Sequence, residues 1–75
     1  MNEPTHRQHK ILETVEALGD SCYKTGNEDD IDLYWELVRG GYLRNLVLIG
    51  GGQYEWQFKL TVKAVQYLKS FLEKV

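Results

Sequence analysis

Apolar residues recur along this chain with two periods, a helical one at both ends and an alternating one between. Ile11, Leu12, Val15 and Leu18 share one face of a predicted helix running from about Thr5 to Leu18, while His6, Arg7, Lys10, Glu13 and Glu16 point elsewhere. Pro4 and Thr5 suit its start and Gly19 its end. Residues 20–27 show neither period and read as a loop. Asn27 then predicts the cap of a second helix, with Glu28, Asp29 and Asp30 in its first turn, where carboxylates complement the positive end of the helix dipole. Gly40-Gly41 stop that helix after Arg39. Its apolar arc of Ile31, Leu33, Tyr34, Trp35, Leu37 and Val38 is wide, leaving a narrow polar stripe of Glu28, Asp29, Asp32, Glu36 and Arg39.

A hairpin follows. Leu43 to Ile49 predict one strand and Gly50-Gly51-Gly52-Gln53 its turn. The returning strand alternates, with Tyr54, Trp56, Phe58 and Leu60 on one face and Glu55, Gln57, Lys59 and Thr61 on the other. That pattern belongs to an antiparallel sheet with helices on one side and water on the other. Thr61 caps a last helix from Val62 to about Lys74. Ala64, Val65, Tyr67, Leu68, Phe71, Leu72 and Val75 form its expected buried stripe.

Two phrases in this order carry a resemblance. Leu37-Val38-Arg39-Gly40-Gly41-Tyr42-Leu43 looks like the end of a recognition helix entering a wing strand, and Phe58-Lys59-Leu60-Thr61-Val62-Lys63-Ala64 with Tyr67-Leu68 looks like the exit from the wing. Over about residues 28–72 the chain resembles the winged-helix domains of bacterial regulators of the MarR and PadR type, and of small winged-helix proteins of phages and plasmids. The resemblance implies a mainly α fold with a small β-hairpin, three helices plus a two-stranded antiparallel wing in one domain over residues 1–75. It departs from the family at residues 20–27, which leave little room for the usual extra helix, and at Ala64, where the family often has Gly.

Size and composition narrow the function. A chain of 75 residues has room for one core and none for a large catalytic cleft. Cys22 is the only cysteine, so no intramolecular disulfide staples the fold, and a reducing, cytoplasmic setting is the simplest expectation. No apolar run reaches the roughly 20 residues needed to span a bilayer, and the N-terminus lacks the apolar core of a secretion signal.

The net charge of −2 hides a polar chain. Residues 20–36 hold one Lys against six Asp or Glu, a net of −5, whereas residues 37–75 hold six Lys or Arg against two Glu, a net of +4. A winged-helix regulator inserts its recognition helix into the major groove and lays its wing along the backbone, and phosphate contacts supply most of its non-specific affinity. Here Glu28, Asp32 and Glu36 recur on the side of the second helix free to face a groove, where phosphates repel them. The DNA-binding candidates are therefore Arg39, Arg44, Lys59 and Lys63, forming a weak or partner-assisted site. The competing candidate is a protein interface on the second helix, made by Glu28, Asp32, Leu33, Tyr34, Trp35 and Glu36. That surface would serve a protein partner or a homodimer.

No residues form a catalytic or metal set. His6 and His9, three apart with Glu13 beyond, have the spacing of ligands on one helix face, but no further donor joins them and they read as surface histidines. Cys22 reads as a loop thiol, and the glycine run lacks the Lys-Ser/Thr of a phosphate loop. Asp29, Asp30 and Asp32 lack the glycine and distal Glu of a calcium loop. The sequence thus predicts a non-enzymatic regulatory or accessory protein, with no cofactor, metal, small-molecule ligand or membrane partner.

Overall fold

Thr5 fixes the start of the first helix. Its hydroxyl accepts from the Gln8 backbone N–H at 3.3 Å, and Gln8 Oε1 accepts from the Thr5 N–H at 2.9 Å, a reciprocal capping box. Helix α1, His6–Leu18, follows and ends at Gly19, whose φ of +61° needs no Cβ penalty. The computed structural model that shows this describes residues 3–50 and 52–73.

Residues 20–27 are more than a loop. A 3₁₀ turn, Gly19–Ser21, leads into strand β1, Tyr23–Lys24, which pairs antiparallel with the returning hairpin strand through Tyr23↔Gln57 and Lys24↔Trp56. Cys22, the expected loop thiol, is fully buried, and its carbonyl accepts from the Phe58 N–H at 2.9 Å. Two paired residues are too few to display an alternation, so the strand left no trace in the sequence pattern.

The second helix also begins later than expected. Helix α2 is Ile31–Arg39. Asn27 does not cap it, because residues 25–28 are still tied back toward the sheet: the Gly26 N–H donates to the Glu55 carboxylate and the Asn27 N–H to the Thr25 hydroxyl. Asp30 occupies the cap position without a side-chain capping bond. Glu28 and Asp29 consequently lie in turns ahead of the helix. The stop is as expected. The Tyr42 N–H reaches the Leu37 carbonyl at 2.8 Å and the Gly41 N–H reaches Val38 at 3.1 Å, with Gly41 at φ +84°, a Schellman ending that only glycine adopts without strain.

Strands β2, Leu43–Val47, and β3, Trp56–Leu60, form the hairpin in the register Leu43↔Leu60 to Val47↔Trp56. Pairing stops short of the expected Ile49 and Tyr54, with one further bond from the Leu48 N–H to the Glu55 carbonyl. The sheet has three antiparallel strands in the order β1-β3-β2. Three helices and a three-stranded sheet make a mixed α/β fold, where a mainly α fold with a two-stranded hairpin was expected.

Thr61 opens helix α3, Val62–Glu73, as anticipated: its hydroxyl accepts from the Ala64 N–H at 3.2 Å and donates to the Gly41 carbonyl at 2.6 Å, joining the two helix ends. Leu12, Val15, Tyr34, Leu37, Leu43, Phe58, Ala64 and Leu68 build the core between the helices and one sheet face. Burying eight such side chains stabilises the chain by about 1.5–3 kcal/mol for each of the larger ones. The expected α3 stripe is only partly correct. Val65, Phe71 and Leu72 are exposed, because α3 has neighbours on one side alone and its turn carrying Ala64, Tyr67 and Leu68 faces them. Lys74 and Val75 lie outside the described residues.

Candidate functional site

The candidate interface on α2 splits into two kinds of residue. Tyr34 is 1% exposed, its ring tilted against that of Phe58 at 5.0 Å between centres, and is therefore a core residue and not an interface residue. Trp35 is half-buried and edge-on to Trp56 at 5.1 Å and to Phe58 at 5.4 Å, so most of its apolar area is used within the chain. Leu33 is half-buried against the core. Tyr34 and Trp35, the aromatic members of the wide apolar arc that suggested a partner, are covered by rings of the chain's own β3. Glu36 accepts a 3.0 Å hydrogen bond from the buried Gln8 amide, tying α2 to α1. Asp32 and Asp29 face water, while Glu28, in the preceding turn, is half-buried and no longer in line with them.

The four basic candidates do not form one free patch. Lys59 pairs with Asp20 at 3.1 Å. Lys63 donates to the Gly40 carbonyl at 2.7 Å and lies over the Tyr42 ring at 4.5 Å from its centre, so it neutralises the negative end of α2. Arg39 and Arg44 are exposed, with no ion-pair partner among the described residues. Arg44 stands directly opposite Lys59 across the hairpin, on the sheet face turned away from the core.

His9 is buried, contrary to its reading as a surface residue. Its Nδ1 lies 3.1 Å from the Tyr67 hydroxyl and its Nε2 3.5 Å from a Glu13 carboxylate oxygen, with the ring 4.2 Å from that of Phe71. When the ring proton sits on Nε2, the nitrogen that faces Glu13, the Tyr67 hydroxyl can donate its own to Nδ1. Burial raises the Tyr67 pKa above that of a free phenol, which keeps that proton in place. The His9–Tyr67 hydrogen bond and the ring contact with Phe71 clamp α3 onto α1. His6 is exposed and takes no part. Among the described residues no three His, Cys, Asp or Glu gather in a way that would hold a metal ion, and no helix is long and apolar enough to cross a membrane.

The feature that residue-by-residue reading overlooked is the wing. Val47 is 70% exposed and Ile49 98%, with Leu46 also exposed. They sit in a run of ten uncharged residues, Asn45 to Tyr54, which was the available signal. The same strand has an open edge. The Tyr42 carbonyl accepts from the Thr61 N–H and the Leu48 N–H donates to Glu55, so even-numbered residues bond to β3 and the main-chain groups of Leu43, Asn45 and Val47 point outward. Comparison with known proteins returned no match, whether against family models, curated proteins or solved structures.

Proposed function

We propose that this chain is a small non-enzymatic winged-helix-like module that works by associating with protein rather than by gripping DNA. The observation that carries this reading is the uncharged wing with its exposed Val47 and Ile49, an apolar surface that a protein partner would cover. The winged-helix assignment is supported by the element order, the glycine-linked hairpin and the strand order β1-β3-β2, although residues 25–30 form turns where that family has a helix. A regulatory or accessory role goes with it. So does a cytoplasmic setting, since Cys22 is an unbridged buried thiol.

Electrostatics argue against a groove-binding role. Asp32 lies on the exposed side of α2, and two of the four candidate cations, Lys59 and Lys63, are engaged within the chain. The second reading is weak DNA contact through Arg39 and Arg44, favoured by the exposure of both guanidinium groups. A salt-dependent titration with random duplex DNA separates the two. The association reading expects no binding at low salt. A log–log slope of about −1 or steeper, abolished by Arg44→Glu, would replace it with the DNA reading.

A further inference from the structure

The two edges of the sheet are treated very differently. On one side β1 is two residues long and turns away at once, its continuation held by the bond between the Gly26 N–H and Glu55. On the other, β2 offers an extended edge with the Leu43, Asn45 and Val47 main chain directed outward and no Lys, Pro or acidic residue along it. Monomeric proteins ordinarily blunt such edges with charge, proline, bulges or a covering element. This one carries a single charge, Arg44, and that side chain lies on the outer sheet face beside Lys59.

We infer that a second copy of the chain pairs with this edge, β2 antiparallel to β2 about a two-fold axis, to make a continuous six-stranded sheet. The inference deepens the association reading above by naming its partner. The strand is compatible with a copy of itself. Outward-pointing residues must meet outward-pointing residues, and with Leu46 at the axis Asn45 meets Val47 and Leu43 meets Ile49 of the other copy. The same register sets Arg44 opposite Leu48, so the two Arg44 side chains of a dimer are never directly opposed. Val47 and Ile49, otherwise the most exposed apolar residues of the wing, then gain neighbours. The symmetry is closed, because using the edge once leaves each sheet ending at the short β1. The contact is smaller than the roughly 20–30 residues a side of a standard interface, so the dimer is expected to form and dissociate with concentration.

Sedimentation velocity on the full chain, from low micromolar to millimolar, reads this directly. The wild type is expected to move from monomer to dimer across that range. Val47→Lys places a charge on the edge and should raise the dissociation constant about tenfold or more. Val47→Pro removes an outward N–H without touching a bond to β3, and should also leave a monomer; circular dichroism identifies whichever variant folds. A wild type that stays monomeric throughout overturns the inference, even if another protein proves to be the partner. A dimer that Val47→Lys leaves intact also overturns it, and a DNA titration with a salt slope overturns the association reading without touching the dimer.

Discussion

The helical end of the molecule and the wing are equally rich in large apolar residues and use them in opposite ways. Around Phe58, side chains from α1, α2 and α3 close over one face of the sheet, and Leu12, Leu37 and Phe58 lose all contact with water. Only a few residues farther along the hairpin, Val47 and Ile49 stand almost free in it. The difference is not hydrophobicity but the presence of a second layer. The helical layer reaches Trp56 of β3 but leaves Val47 opposite it, and Ile49 beyond, uncovered, so an apolar pattern that serves folding at one end is left for association at the other.

That contrast breaks first under truncation. Phe58→Ala should cost about 3–5 kcal/mol, a large share of the roughly 4–11 kcal/mol that a 75-residue domain has to lose. Ile49→Ser should stay within about 0.5 kcal/mol, both read from urea unfolding followed by tryptophan fluorescence. Equal losses at the two positions would mean the wing is packed after all. Trp35→Ala sharpens the same line. Because its ring lies against Trp56 and Phe58, it should cost about 2 kcal/mol while leaving the sedimentation behaviour unchanged; altered association at unchanged stability would return α2 to the list of interfaces.

Alkaline pH probes the helical end alone. Burial raises the pKa of the Cys22 thiol and, more strongly, of the Tyr34 phenol, so the folded chain holds both protons more tightly than the unfolded one. Their contribution is therefore complete below the free-group values of 9.0 and 10.0 and is lost as pH rises through them toward the folded values. The melting temperature should begin to fall above pH 9, and in Cys22→Ala only nearer pH 10. A flat profile to pH 11 would place both groups in water. The smallest effect is expected from Tyr67→Phe, which deletes one partner of His9 Nδ1 and should cost about 1 kcal/mol, measured by the same unfolding transition.

Much of the fold was legible in single residues. Thr5 and Thr61 opened helices where their hydroxyls could cap, and Gly41 closed one where a left-handed residue was needed. The misses share a cause, in that long-range contacts decided what local pattern left open. Strand β1 exists because β3 has an edge to offer, and the start of α2 shifts to Ile31 because Gly26 is held by Glu55. His9 is buried because α3 brings Tyr67 and Phe71 over it from far along the chain. The candidate site was legible only as charge. The segment count identified the acidic and basic halves, but spacing alone does not reveal that Lys59 meets Asp20 or that Lys63 turns back to Gly40.

Amide hydrogen exchange along β2 tests the central claim that the wing edge is the working surface. Arg44, Leu46 and Leu48 donate to β3 and should be protected at every protein concentration. Asn45 and Val47 point outward and should exchange freely in dilute solution, then become protected as concentration rises and the strands of two copies pair. Exchange at Asn45 and Val47 that stays fast at millimolar concentration, with new protection appearing along α2 instead, would contradict the account.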